Sequence, residues 1–182
     1  IDAFLTKFDS SGNKVWTKQW GTSSYDYAYS VAVDSSGNLY VAGSTEGSLD
    51  GNTSAGSSDA FLTKFDSSEN KVWTKQWGTS SGDFANSVAV DPSGNLYVAG
   101  FTAGSLDGNT SASGGDAFLT KFDSSGNKVW TKQWGTSSGD GANSVAMDNN
   151  GNIIIAGYTE SSFPGYTNAG DIDILLISTT SN

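Results

Sequence analysis

"KVWTKQWGTSS" occupies Lys14 to Ser24, recurs without substitution from Lys71 to Ser81, and recurs again from Lys128 to Ser138. The copies start at positions 14, 71 and 128, a fixed step of 57 residues. Self-similarity at a fixed period of this size marks a repeat architecture. Each copy opens on apolar and aromatic residues alternating with Lys, Thr and Gln, a period-2 pattern that reads as a half-buried β-strand.

Working outward, "DAFLTKFDSS" precedes the motif at Asp2, Asp59 and Asp116. It divides one continuous repeat region, 1–182, into units 2–58, 59–115 and 116–172, with a partial fourth unit, 173–182, that opens "DILLIS". Within the second unit the pattern predicts strands over Ala60 to Phe65, Lys71 to Trp77, Ser87 to Val90 and Leu96 to Gly100. Their connectors, Asp66 to Asn70 and Asp91 to Asn95, are of hairpin length. Gly12, Gly37, Gly94, Gly126 and Gly151 stand where such turns need positive φ, which only glycine adopts without a Cβ clash. Glu69 holds that place in the second unit, so either it carries the strain or Asn70 takes the left-handed position. No segment has a helical period, so the chain is expected to be all-β with about 13 strands.

Four-stranded antiparallel sheets in tandem describe β-propeller blades. Small, apolar "SVAV" suits the crowded innermost strand, and Lys-bearing "KVWTKQW" suits the outermost one, whose edge meets water. The order from inside to outside is then Ser87 to Val90, Leu96 to Gly100, Phe118 to Phe122 and Lys128 to Trp134. On this arrangement Trp73 and Trp77 share a face and fill the widening wedge between blades. At 57 residues per unit the chain supplies about three blades, whereas closed propellers have 4 to 8. The expectation is part of a longer chain, a larger propeller or a self-associating assembly.

With no cysteine and no histidine, the chain has no disulfide, thiolate or imidazole chemistry, and no cofactor is implied. Nine lysines, no arginine and a formal charge of −10 make nucleic acid a poor partner. No apolar run approaches the length of a membrane-spanning helix. The chain opens at "IDAFLTKF", which matches the interior of later repeats, so residues ahead of Ile1 are expected. The Ser, Thr, Asn and Gly content without Cys points to an extracellular or cell-surface location, with the export signal outside this chain.

"QWGTSSGDFANSVAVDPSGNLYVAGFT" followed by "DAFLTKFDSSG" resembles the bacterial SBBP-type β-propeller repeat. The resemblance covers nearly the whole chain and departs after Gly157, where "YTESSFPGYTNAGDIDILLIS" replaces the regular loop and strand. It implies a surface-associated or secreted propeller protein, usually without an assigned reaction.

Antiparallel alternation puts the short "DSSGN" turns on one face and the long loops, Gly78 to Asn86 and Thr102 to Gly115, on the other. The units diverge on that second face: Tyr25, Tyr27 and Tyr29 become Gly82, Phe84 and Asn86, then Gly139, Gly141 and Asn143. Neutral drift and a ligand-contacting aromatic cluster both explain this. Asp26, Asp83 and Asp140 share one loop position, while Asp107 and Asn109 lie in "LDGNTS"; backbone capping accounts for such residues. "DGNTSAG" lacks the glycine and closing Glu of an EF-hand, so no metal is assigned. The candidate ligand-binding residues are Tyr25, Asp26, Tyr27, Tyr29, Asp83, Phe84, Asp107, Asn109 and Asp140.

The function expected is a binding or adhesion module, not an enzyme, that offers its loop face to a glycan or protein. The alternative is a structural element of a surface layer or filament. A carboxylate-dependent carbohydrate-active enzyme is the third reading, disfavoured by the missing His and Arg.

Overall fold

The computed structural model describes residues 1–180, with side chains as far as Ser178. Thirteen strands run in chain order among them: β1 (Ala3–Phe8), β2 (Lys14–Trp20), β3 (Asp26–Val33), β4 (Leu39–Thr45), β5 (Asp59–Phe65), β6 (Lys71–Trp77), β7 (Asp83–Val90), β8 (Leu96–Thr102), β9 (Asp116–Phe122), β10 (Lys128–Trp134), β11 (Asp140–Met147), β12 (Asn152–Thr159) and β13 (Asp173–Thr180). Helical structure among them is confined to single 3-10 turns at Leu49–Gly51 and Leu106–Gly108.

The strands form four antiparallel sheets in tandem: β1-β2, β3-β4-β5-β6, β7-β8-β9-β10 and β11-β12-β13. These are propeller blades in the order read from sequence, with "SVAV" innermost and "KVWTKQW" outermost. Both four-stranded blades straddle a repeat boundary, because β4 to β5 and β8 to β9 pair across it. The hairpin turns keep one geometry: Gly12, Gly37, Gly94, Gly126 and Gly151 have φ of 81–83°. Each turn is closed by its leading aspartate, as Asp91 accepts from Ser93 N, Asn95 N and Asn95 Nδ2. Glu69 keeps the turn with φ 68° and so carries the strain itself. It is held there by a 2.5 Å hydrogen bond from Trp16 Nε1 of the preceding blade and an ion pair with Lys7.

The seam between blades is where the tryptophans act. Trp77 meets Phe118 and Phe122 of the next blade edge-on, with centroids 6.4 and 5.1 Å apart, and Trp20 meets Phe61 and Phe65 in the same way. Around Trp77 the seam buries Tyr40, Ala42, Ala60 and Leu62 of one blade against Ala85, Val88, Leu96 and Val98 of the next. Burial of this size contributes a few kcal/mol per large side chain. Trp73, half-buried, packs on Tyr40 and covers the Gly126 turn of the next blade.

Innermost strands need another device, since their inner edges leave backbone N–H groups unpaired within the blade. A bulge at Ala28/Ser30, repeated at Ala85/Ser87, adds one residue to the strand. Ser30 Oγ then accepts from Val88 N at 3.2 Å, and Ser87 Oγ from Val145 N at 3.1 Å.

The first strand of a blade is longer than its sequence suggests. β7 begins at Asp83 rather than Ser87, so the loop expected over Gly78 to Asn86 shrinks to five residues, 78–82. The bulge hides the period there, and Asp83 N donates to Ser58 O of the preceding blade, which anchors the strand early. Asp26, Tyr27, Tyr29, Asp83, Phe84 and Asp140 are therefore strand residues, a correction to their reading as loop residues.

Candidate functional site

The strand ends opposite the "DSSGN" turns carry the divergent residues, and their chemistry separates into three groups. The first is carboxylate. Asp26, Asp83 and Asp140 are fully buried. Asp83 Oδ2 accepts from Thr79 N at 2.6 Å and Thr79 Oγ1 at 3.0 Å, and its Oδ1 accepts from Thr102 Oγ1 at 2.5 Å. Asp26 repeats all three bonds with Thr22 and Thr45, and Asp140 repeats the two from Thr136. Each closes the turn that enters its strand, so these three candidates stand behind the surface. Burial pushes the Asp83 carboxyl above the usual carboxylate range, against the bonds from the two threonines.

The second group is the "LDGN" loop. Asp107 takes φ 50°, a left-handed conformation unusual for a residue with a Cβ, as does Asp50 at 51°. Its carboxylate is gripped by Lys128 Nζ and by Thr131 Oγ1, both from the outermost strand of its own blade. Asn109 Nδ2 donates to Leu106 O and Thr131 O, and Gln133 bonds Leu106 N and Gly104 O. Leu106 is thereby pressed into the seam, fully buried. Asp107 and Asn109 fold their loop onto the blade and are committed to that task.

Aromatic residues make the third group. Tyr25, Tyr27 and Tyr29 form a ladder along the start of β3, with neighbouring centroids 6.4 and 6.1 Å apart and ring planes within 7° of parallel. They are 50%, 37% and 46% exposed, and Tyr29 Oη bonds Ser44 Oγ at 3.0 Å. In the next blade Phe84 and its cross-strand partner Phe101 lie 6.1 Å apart. In the last, a Cβ on Gly141 would lie 2.5 Å from the ring of its partner Tyr158. One cross-strand pair, 27↔44, 84↔101 and 141↔158, thus supplies an aromatic ring in all three blades, from either strand. Register was the missing signal: aligning units alone makes Gly141 a loss, whereas pairing it with Tyr158 restores the ring.

Of the nine sequence candidates, the ladder Tyr25, Tyr27 and Tyr29 is the exposed, contiguous set. Phe84 lies half-buried against Phe101. Among the described residues no group of three or more His, Cys, Asp or Glu could hold a metal ion. None of the helices described is long and apolar enough to cross a membrane.

Tandem four-stranded antiparallel blades with aromatic seams define a β-propeller repeat protein. The family model described as "SBBP: Beta-propeller repeat" matches residues 15–50, 72–107 and 129–164, and the chain belongs to that family. It is 32% identical over 174 residues to "Regulatory protein FlaEY" of Caulobacter vibrioides, covering 87% of this chain and 18% of that protein. It is 27% identical over 169 residues to "Uncharacterized WD repeat-containing protein L264" of Acanthamoeba polyphaga mimivirus, covering 80% of this chain and 12% of that protein. The chain thus spans less than a fifth of the length of either relative.

Proposed function

We propose that the chain is a non-enzymatic binding module, extracellular or on the cell surface, which uses the strand ends opposite the "DSSGN" turns to hold a glycan. The tyrosine ladder carries this reading. Three parallel, half-exposed rings, Tyr25 just before β3 and Tyr27 and Tyr29 on it, offer apolar faces for sugar rings and phenol groups for their hydroxyls, at low entropic cost. The carboxylates that would serve an acid–base mechanism are turned inward and held by backbone and threonine donors, which supports binding over catalysis.

On a glycan array the folded chain is expected to retain a defined set of oligosaccharides. The triple variant Tyr25→Ala, Tyr27→Ala, Tyr29→Ala is expected to lose at least about tenfold in affinity, which is about 1.4 kcal/mol. Unchanged array binding by a folded triple variant would remove the ladder from the site.

A second reading, assembly into a surface layer or filament, is favoured by a different observation. Phe4, Phe8, Val31 and Val33 at one end of the array are 51–66% exposed, and Ile174 and Leu176 at the other end are 91% and 70% exposed. Apolar faces of this kind seek partners. Light scattering on the isolated chain is expected to register a mass that grows with concentration, and a monodisperse monomer at all concentrations would count against assembly.

A further inference from the structure

Every seam holds two aspartates face to face across a glycine. A Cβ built on Gly78 would lie 2.5 Å from Asp59 Oδ1 and 2.8 Å from Asp83 Oδ2. On Gly135 it would lie 2.2 Å from Asp116 Oδ1 and 2.9 Å from Asp140 Oδ2, and on Gly21 2.6 Å from Asp26 Oδ2 and 3.0 Å from Asp2 Oδ1. Asp59, Asp83, Asp116 and Asp140 are 0% exposed. The hydrogen bonds to Asp59 arrive at one oxygen: Ala55 N and Gln76 Nε2 both donate to Oδ2. Oδ1 of Asp59, Oδ1 of Asp116 and Oδ1 of Asp140 have no partner, and the first two lie beside the glycine that the facing carboxyl group also borders.

Two buried carboxyl groups bordering one glycine, at least one of them with an oxygen that no donor reaches, repel each other when both are charged. Lys7, Lys71 and Lys128 form their ion pairs elsewhere, with Glu69, Asp50 and Asp107. Around Asp59 and Asp83 the other groups are neutral: Gln76 from β6, Thr79 from the entering turn, Thr102 from β8 and the Ala55 amide. The Asp116 and Asp140 seam adds Tyr158 and Glu160, the latter accepting from Gly139 N.

We propose that each buried carboxyl pair, Asp59 with Asp83 and Asp116 with Asp140, shares one proton seated on an unpartnered Oδ1, so that pH sets how firmly neighbouring blades close on one another. Like-charged carboxyls in one site behave as a unit, and removing the shared proton leaves two desolvated anions facing each other. Burial first, and then the charge of Asp59, hold the Asp83 carboxyl above its ordinary range. A raised value means that the folded chain holds the proton more tightly than the unfolded one. The stabilisation is therefore complete below the unfolded carboxylate value and is lost as pH rises through the folded one. The turn aspartates oppose this only in acid: Asp9, Asp66, Asp123 and Asp148 are lowered chiefly by bonds from Asn13, Asn70, Asn127 and Asn152, and their contribution disappears as pH falls.

The test compares the chain with its double variant Asp59→Asn, Asp116→Asn. An asparagine keeps an oxygen for Ala55 N and Gln76 Nε2 and replaces the bare Oδ1 with a donor. Between about pH 5 and 8, above the ordinary carboxylate range, the denaturation midpoint of the parent is expected to fall as pH rises, and that of the double variant to stay flat. In the parent, carboxyl carbon resonances of labelled aspartate should titrate well above the ordinary range and be missing from the variant. Midpoints falling in parallel for parent and variant, or aspartates that all titrate at ordinary values, would overturn the proposal. So would resonances that answer to added calcium chloride at neutral pH and not to protons, since the seam would then hold a cation.

Discussion

Replacing Phe118 by alanine will cost the chain about 3–5 kcal/mol, whereas replacing Phe4 will cost less than about 0.5 kcal/mol, as at an ordinary surface site. The two phenylalanines occupy the same place in the same heptapeptide, "DAFLTKF". Phe118 is fully enclosed, with the Trp77 ring of the preceding blade set edge-on to it, while Phe4 is 66% exposed. Truncation at 118 removes a ring from the densest part of a seam and leaves a cavity that two rigid sheets cannot collapse around. Among the described residues no aromatic ring packs on Phe4. Urea titrations of the two variants decide the matter: equal losses would mean that the seams do not hold the array together. The pair also keeps residue type, strand position and local sequence constant, so burial is the variable being tested.

Gly78→Ala is expected to cost about 3 kcal/mol, the upper range for forcing a methyl group into a closed space. Its backbone needs no left-handed conformation, so the cause is proximity alone: the new carbon would press on oxygens of both Asp59 and Asp83. Neither can retreat freely, because Gln76 and Ala55 hold one and Thr79 and Thr102 hold the other. Gly170→Ala, where no atom lies within 4 Å of the added carbon, is the control and should be nearly silent. A thermal scan in which Gly78→Ala melts with the parent would show that the seam is looser than its geometry implies.

The blades were legible in the sequence because three physical signals agreed: a fixed period, strands alternating with hairpin turns, and glycine at five of the six left-handed hairpin-turn positions. The place of the tryptophans followed, since the strand at a blade's outer edge must fill the widest part of the wedge. What stayed hidden depended on contacts between repeats. Asp83 reads as a loop residue because Gly, Ser and Asn surround it, and its anchor, Ser58 O, belongs to the neighbouring blade. Ser87 reads as an ordinary strand residue, although its hydroxyl accepts a backbone N–H across the seam. Gly78 looks like any turn glycine until the two carboxyl groups beside it are known. Of the candidate site, the tyrosines were visible as divergence among otherwise equal copies. Asp107 and Asn109 looked available for a ligand, and only three-dimensional contact reveals that Lys128 and Thr131 already occupy them.

Near-identical repeats set a problem of fidelity during folding. A blade recognises its neighbour through Trp, Phe, Ser and Asp residues that are the same at successive seams, so a nascent blade meets several docking surfaces of nearly equal affinity. Covalent order alone favours the adjacent one, through its shorter loop closure. Multidomain and repeat chains misassemble in this way. Glu69 breaks the degeneracy: its carboxylate reaches Trp16 Nε1 of the preceding blade, while the matching turn at Gly126 lies against Trp73, where a Cβ would come within 2.8 Å of the indole. The one hairpin turn without glycine at its left-handed position thus marks its seam with a side-chain contact that the seam at Gly126 lacks, and so distinguishes the first pair of blades from the second.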